Sequence, residues 1–133
     1  MSTKTKKKSK APAASLVWFE IPADQTGRAQ KFYSSLFGWK ISPIPGMKDY
    51  SHIDTGGADA SPDGAVMARM HPGHTITPYI FVASVTRAMK RVERLGGKIC
   101  KAKTAVPRMG YFSLCQDTEK NVFALWEMNP KAK

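Results

Sequence analysis

The order of secondary-structure signals runs through this chain twice, and that duplication restricts the fold more than any other feature of the sequence. Ser15–Ile21 (SLVWFEI) is rich in β-branched and aromatic residues and stops at Pro22, which reads as a strand. A helix is expected from about Thr26 to Phe37, capped by Asp24, with Phe32, Leu36 and Phe37 on its apolar side and Gly38 as its stop. Trp39–Ile44, Tyr50–Thr55 and Ala65–Met70 read as strands. They are separated by Pro45-Gly46 and by a polar loop from Gly56-Gly57 to Ser61-Pro62-Asp63-Gly64. Beyond Pro72-Gly73 the order returns: strand Thr77–Val85, helix Thr86–Leu95 ended by Gly96-Gly97, then strands Lys98–Thr104, Met109–Gln116 and Val122–Met128. Moving forward by 59 residues carries Arg28, Ala29, Lys31, Leu36 and Gly38 onto Arg87, Ala88, Lys90, Leu95 and Gly97. A tandem pair of βαβββ modules, about residues 15–71 and 77–129, accounts for both patterns. The expected class is α+β, with helices on one side of a curled, mixed, mostly antiparallel sheet.

A chain of 133 residues is long enough for one domain with a sizeable core. No apolar run is long enough to span a bilayer. Lys-rich Met1–Lys10 is followed by no apolar stretch, so no secretory signal, no membrane partner and a reduced, cytoplasmic location are expected. The formal charge of +11 is mostly terminal: Lys4, Lys6, Lys7, Lys8 and Lys10 at one end and Lys131 and Lys133 at the other leave about +4 on the body. Residues 1–14 read as a disordered basic tail and linker, and residues 130–133 as a second short tail. The first tail offers a weak, salt-sensitive contact to nucleic acid or another polyanion, or simply aids solubility.

Chemistry-bearing motifs are scarce. Cys100 and Cys115 form no C-x-x-C pair and have no adjacent His, so two buried thiols near one hairpin, around Pro107-Arg108, are expected rather than a zinc or redox site. There is no nucleophile elbow, no Ser/His/Asp or Cys/His signature and no Gly-rich phosphate loop, so no catalytic residue is assigned. His71-Pro72-Gly73-His74 has a tempting i, i+3 spacing but lies in a turn with no third ligand nearby.

The duplicated architecture, with four short motifs in order, resembles the vicinal oxygen chelate superfamily of glyoxalase, bleomycin-resistance and extradiol dioxygenase proteins. The motifs are Val17-Trp18-Phe19-Glu20-Ile21-Pro22, Arg28-Ala29-x-x-Phe32-Tyr33-x-x-Leu36-Phe37-Gly38-Trp39-Lys40, Leu95-Gly96-Gly97-Lys98-Ile99 and Asp117-x-x-x-Asn121-Val122-Phe123-x-Leu125-Trp126-Glu127. The resemblance covers about residues 15–129. It implies two modules enclosing a cavity, paired within one chain or exchanged in a homodimer. In the metal enzymes of the superfamily, four strands each bring one His or Glu to an ion that chelates the substrate's vicinal oxygens. Here the first position is Trp18, Ala65–Met70 offers no His, Asp or Glu, the fifth strand offers Thr77 or Tyr79, and the last Glu is replaced by Ala124. The expectation is therefore no family metal site and no cofactor.

Strand alternation nominates what lines the cavity instead. Trp18 and Glu20 share a face, joined by Met67 and Arg69 with Ala65, by Tyr79 and Phe81, by Trp126 with Ala124 and Met128, and by His52 or Tyr111 in the third strands. The candidate ligand-binding residues are Trp18, Glu20, His52, Met67, Arg69, Tyr79 and Trp126. Both tryptophans have a second reading as fillers of the space left by metal and ligands, and Glu20 with Arg69 as a structural ion pair. Glu127 is expected to cap the sheet edge. The leading expectation is a metal-free protein that binds a small organic molecule in an aromatic cleft. The alternatives are a lyase or oxidoreductase with a displaced metal site recruiting Glu20 and His52, and a nucleic-acid role through the tail. Sequestration of cationic drugs is disfavoured by the basic body.

Overall fold

The computed structural model describes residues 14–57 and 61–133; the basic tail and residues 58–60 lie outside the described residues. The elements are β1 (Leu16–Ala23), α1 (Thr26–Phe37), β2 (Lys40–Pro43), β3 (Tyr50–Asp54), β4 (Asp63–Ala68), β5 (Thr77–Phe81), α2 (Val85–Arg94), β6 (Lys98–Val106), β7 (Gly110–Gln116) and β8 (Val122–Met128). The order is βαβββ twice, an α+β fold. The chain divides into two compact units, residues 16–79 and 80–133, so β5 gives its first three residues to one and its last two to the other.

In the first unit the strand order is β2-β3-β4-β1, with β1 and β4 parallel and the other two pairs antiparallel. One face of β1 and β4 carries Ile21, Ala23 and Val66 which, with Ile53, form a core against Ala29 and Tyr33 of α1. The helix ends at Gly38, whose left-handed φ of 74° lets its N–H return to the Ser34 carbonyl at 2.8 Å. At its other end Gln25 occupies the cap position with no side-chain bond, and Asp24, expected there, instead meets Arg69 at 2.9 Å. Phe32, Leu36 and Phe37, expected inside, are exposed, because the narrow arc that meets the sheet belongs to Ala29 and Tyr33.

β4 starts at Asp63, two residues before the expected strand, so Pro62-Asp63-Gly64 is not all turn. Gly64 sits opposite Phe19 in the β1 register, and a Cβ there would run into the Phe19 carbonyl oxygen and lie 2.8 Å from its ring. Glycine is thus the residue that lets two strands approach at this point.

In the second unit β8, β7 and β6 lie in that order, with β6–β7 and β7–β8 antiparallel. Val85, Cys115 and Leu125 form its core against Ala88, Met89 and Val92 of α2. This helix is capped twice: Ser84 accepts the Arg87 N–H at 3.1 Å, and the Glu127 carboxylate accepts the Val85 N–H at 2.9 Å. Glu127 therefore caps a helix rather than the sheet edge. Both cysteines are free thiols, but only Cys115 is buried as expected; Cys100, in the largely exposed strand β6, is exposed. The motif Asp117-x-x-x-Asn121 is a turn, with Asp117 accepting the N–H groups of Glu119 and Asn121 at 2.7 and 2.9 Å. Residues 130–133 are no tail: Ala132 is buried and its carbonyl accepts the Arg108 N–H at 2.9 Å. No helix among the described residues is long and apolar enough to cross a membrane.

Gly64→Ala should lower unfolding free energy by about 1–3 kcal/mol, the usual range for overpacking. Chemical denaturation checks it, and a wild-type midpoint would mean that β1 and β4 separate without cost.

Candidate functional site

The side of the first unit away from α1 is built by register. Trp18 pairs with Asp63, Glu20 with Ala65, and Pro22 with Met67; across β4, Ala65 pairs with His52 and Met67 with Tyr50. Since pairs across a sheet share a face, Trp18, Glu20, Tyr50, His52, Asp63 and Met67 stand on one side while Phe19, Ile21 and Val66 take the other.

Glu20, only 9% exposed, is the centre of this face. The Tyr50 hydroxyl donates to one carboxylate oxygen at 2.6 Å, and the Tyr79 hydroxyl donates to the other at 3.0 Å. Tyr50 in turn accepts the Trp18 indole N–H at 3.0 Å. The Trp18 ring stacks on His52, centroids 5.7 Å apart and planes 13° from parallel. His52 Nε2 lies 3.1 Å from the Asp63 carboxylate, which also accepts the N–H and hydroxyl of Thr55.

Burial raises the Glu20 pKa above the ordinary carboxyl range, and the two tyrosine hydrogen bonds pull the other way without cancelling it. Burial, reinforced by the Glu20 charge, pushes both Tyr50 and Tyr79 above the usual phenol range. The phenols therefore stay neutral donors, and the carboxyl is the most acidic group of this trio. Chemically the face offers an aromatic platform next to a hydrogen-bonded carboxyl.

Four of the residues nominated from sequence, Trp18, Glu20, His52 and Tyr79, come together here, and Met67 stands on the same face. Arg69 does not join them. The strand ends at Ala68, and the Arg69 guanidinium bonds Asp24 at 2.9 Å and the His74 carbonyl at 2.6 Å, so the Glu20–Arg69 ion pair does not form. Trp126 belongs to the second unit, paired with Phe112 and lying over Gly110. Tyr111 packs on the α2 side with Lys103 Nζ 4.4 Å from its ring centroid, which removes it from the candidates. His71 and His74 stack on each other at 5.5 Å in their turn. Two residues were missed. Tyr50 stands two positions before His52 and so shares its face, a signal that was available. Asp63 was hidden by a Pro-Asp-Gly sequence that reads as a turn.

Comparison with known proteins adds the lineage. Residues 15–56 match the family model described as bleomycin resistance protein-like N-terminal. The chain is 34% identical over 112 residues to a glyoxylase-like domain-containing protein of Didymella fabae, covering 80% of this chain and 88% of that protein. The chain belongs to the vicinal oxygen chelate superfamily. It is also 28% identical over 120 residues to the putative glyoxylase CFP32 of Mycobacterium bovis, covering 84% of this chain but only 45% of that protein, less than half its length. A glyoxalase/bleomycin resistance protein/dioxygenase superfamily member from Vibrio splendidus shares the fold at TM-score 0.63 and 13% identity, covering 88% of this chain and all of that one.

Both Glu20 oxygens accept phenol hydrogens, and His52 and Asp63 are bound to each other. Among the described residues no three His, Cys, Asp or Glu side chains group as a metal site would need. A strand expected to hold no acid does contain Asp63, but that carboxylate is committed to His52 and Thr55.

A raised Glu20 pKa in the folded state means that folding takes up a proton. The stabilising effect is full below the unfolded carboxyl pKa and is lost as pH rises through the folded one. Glu20→Gln removes the titration, so the gap between variant and wild-type stability should shift in the variant's favour as pH rises from about 4.5 toward neutrality, a range set by the ordinary carboxyl pKa. Denaturation midpoints at four pH values measure it, and parallel curves would show that Glu20 titrates as an ordinary carboxyl. Tyr50→Phe should cost about 1–3 kcal/mol, because it leaves the Trp18 N–H and one Glu20 oxygen without their partner. Thermal denaturation checks this.

Proposed function

We propose that this chain binds a small organic molecule on the face formed by Trp18, Glu20, Tyr50, His52, Met67 and Tyr79, and that it does so without a metal ion. The supporting observation is the Glu20 carboxyl held by two neutral phenols next to the Trp18–His52 stack. A carboxyl so held keeps a fixed orientation and offers a polar edge beside an aromatic plane. That combination recognises a flat molecule with a hydrogen-bonding group. Arg69, engaged with Asp24, leaves the reading. Catalysis is not part of the proposal, although a carboxyl with raised proton affinity has the property a general acid or base needs. The reading includes a homodimer and a reducing, cytoplasmic location, the latter supported by the free thiols of Cys100 and Cys115.

Native mass spectrometry of the full-length chain as purified from cells tests the whole reading. A metal-free dimer carrying an organic adduct is expected, with the adduct reduced at least roughly tenfold in Trp18→Leu, since aromatic anchors carry a disproportionate share of binding energy. One divalent ion per chain, lost in Glu20→Gln or His52→Ala, would overturn it in favour of a displaced metal centre.

A further inference from the structure

We propose that His52 serves the Glu20 face as a hydrogen-bond acceptor through Nδ1, and that the molecule it selects is a flat, neutral compound carrying a hydroxyl group, a phenol; this rests on that face being the binding surface. Asp63 sets the arrangement up by the way it is itself held. The Thr55 backbone N–H donates to Asp63 Oδ1 at 3.1 Å, while Oδ2 lies 3.1 Å from His52 Nε2. An ionised carboxylate has no hydrogen to give, so in the neutral imidazole Nε2 carries the proton and Nδ1 the lone pair. Among the described residues Nδ1 makes no hydrogen bond, and the His52 side chain is 36% exposed. A carboxylate that fixes one tautomer leaves the other ring nitrogen ready to receive a hydrogen.

The hydrogen-bond inventory of the face selects the occupant. Tyr50 and Tyr79 have given their hydroxyl hydrogens to Glu20, and Trp18 has given its N–H to Tyr50. Nε2 of His52 is spent on Asp63. Every phenol, indole and imidazole hydrogen here is thus used inside the protein, and the group left over is an acceptor. A ligand whose polar atoms only accept finds no partner among these side chains, whereas one that donates finds Nδ1. Charge narrows the choice further. The face carries the carboxyl groups of Glu20 and Asp63 and no Lys or Arg, since Arg69 is held by Asp24. An anionic ligand would meet two acids with no compensating cation. Flatness follows from the setting. Trp18 lies against one side of the imidazole, 13° from parallel, so the donor arrives in the ring plane and an aromatic donor extends the platform.

The test is ¹⁵N NMR of the full-length chain at about pH 8, where imidazoles ordinarily carry no charge, titrated with p-cresol, its methyl ether p-methylanisole, and p-toluate. The imidazole nitrogen shifts of His52 should show Nε2 protonated and Nδ1 bare. p-Cresol should give saturable shifts at Trp18 and His52. The ether should bind roughly tenfold more weakly through loss of one hydrogen bond, and p-toluate at least as weakly through its charge. In Asp63→Asn the side-chain oxygen has to stay at the Thr55 N–H, which can only donate. The amide nitrogen then faces Nε2, and the imidazole proton moves to Nδ1. That variant should show the opposite tautomer and lose the preference for p-cresol over its ether. His52→Phe keeps a ring against Trp18 and should lose the same preference, and unchanged amide dispersion confirms that both variants fold. The proposal is overturned by a protonated Nδ1 in the wild-type chain, by a tautomer that Asp63→Asn leaves unaltered, or by tighter binding of p-toluate than of p-cresol. Equal affinity for p-cresol and its ether, with shifts at Trp18, overturns it while leaving the binding face in place. No saturable shift at Trp18 with any of the three probes overturns both.

Discussion

A carboxyl group taken out of water must find hydrogen-bond donors or stay protonated, and the first unit is arranged around that requirement at Glu20. The two donors come from different strands, Tyr50 from β3 and Tyr79 from β5, while Glu20 itself stands on β1. One short polar network therefore pins three strands at a single depth. Trp18 is fixed by the same network through its indole N–H, and His52 is fixed by stacking on Trp18 and by Asp63. The shape of this face follows from satisfying one acid.

The same strand has a different task on its other side. Ile21 and Ala23 meet Ala29 and Tyr33 in a core that needs no polar partner, and the aromatic rings of Tyr33, Phe37 and Trp39 gather at the far end of α1, with Phe37 and Trp39 centroids 4.9 Å apart. Alternation separates the two tasks without an added domain: one residue inward, one outward. The helix pays little attention to amphipathic ideality, however, and its second apolar stripe stays in solvent beside Arg28 and Lys31.

Much of this was legible in the sequence where a local rule decides the outcome. The bounds of α1 at Thr26 and Phe37 and of β8 at Val122 and Met128 follow from periodicity and from Gly38, which alone accepts the left-handed turn without strain. The duplication gave the order of all ten elements. What was not legible depended on partners distant in sequence. Gly64 looks like a turn residue until Phe19 is seen against it. Arg69 has the right parity for the Glu20 face, but parity loses its meaning one residue past the strand end, and Asp24 captures the guanidinium. An apolar arc on α1 does not say which of two stripes meets the sheet, so Phe32 and Leu36 were placed inside when Ala29 and Tyr33 are. Tyr50, by contrast, could have been read from its spacing to His52.

The Tyr79–Glu20 hydrogen bond joins residues 59 positions apart, which is the repeat offset itself. The two partners thus stand at matching positions of the repeated pattern. With Glu at both, two carboxylates would compete for one proton; with Tyr at both, neither would be a strong acceptor. A phenol donating to a carboxylate requires different residues at the two positions. Two identical repeats could not make it, so a substitution at either position changes what the other must supply.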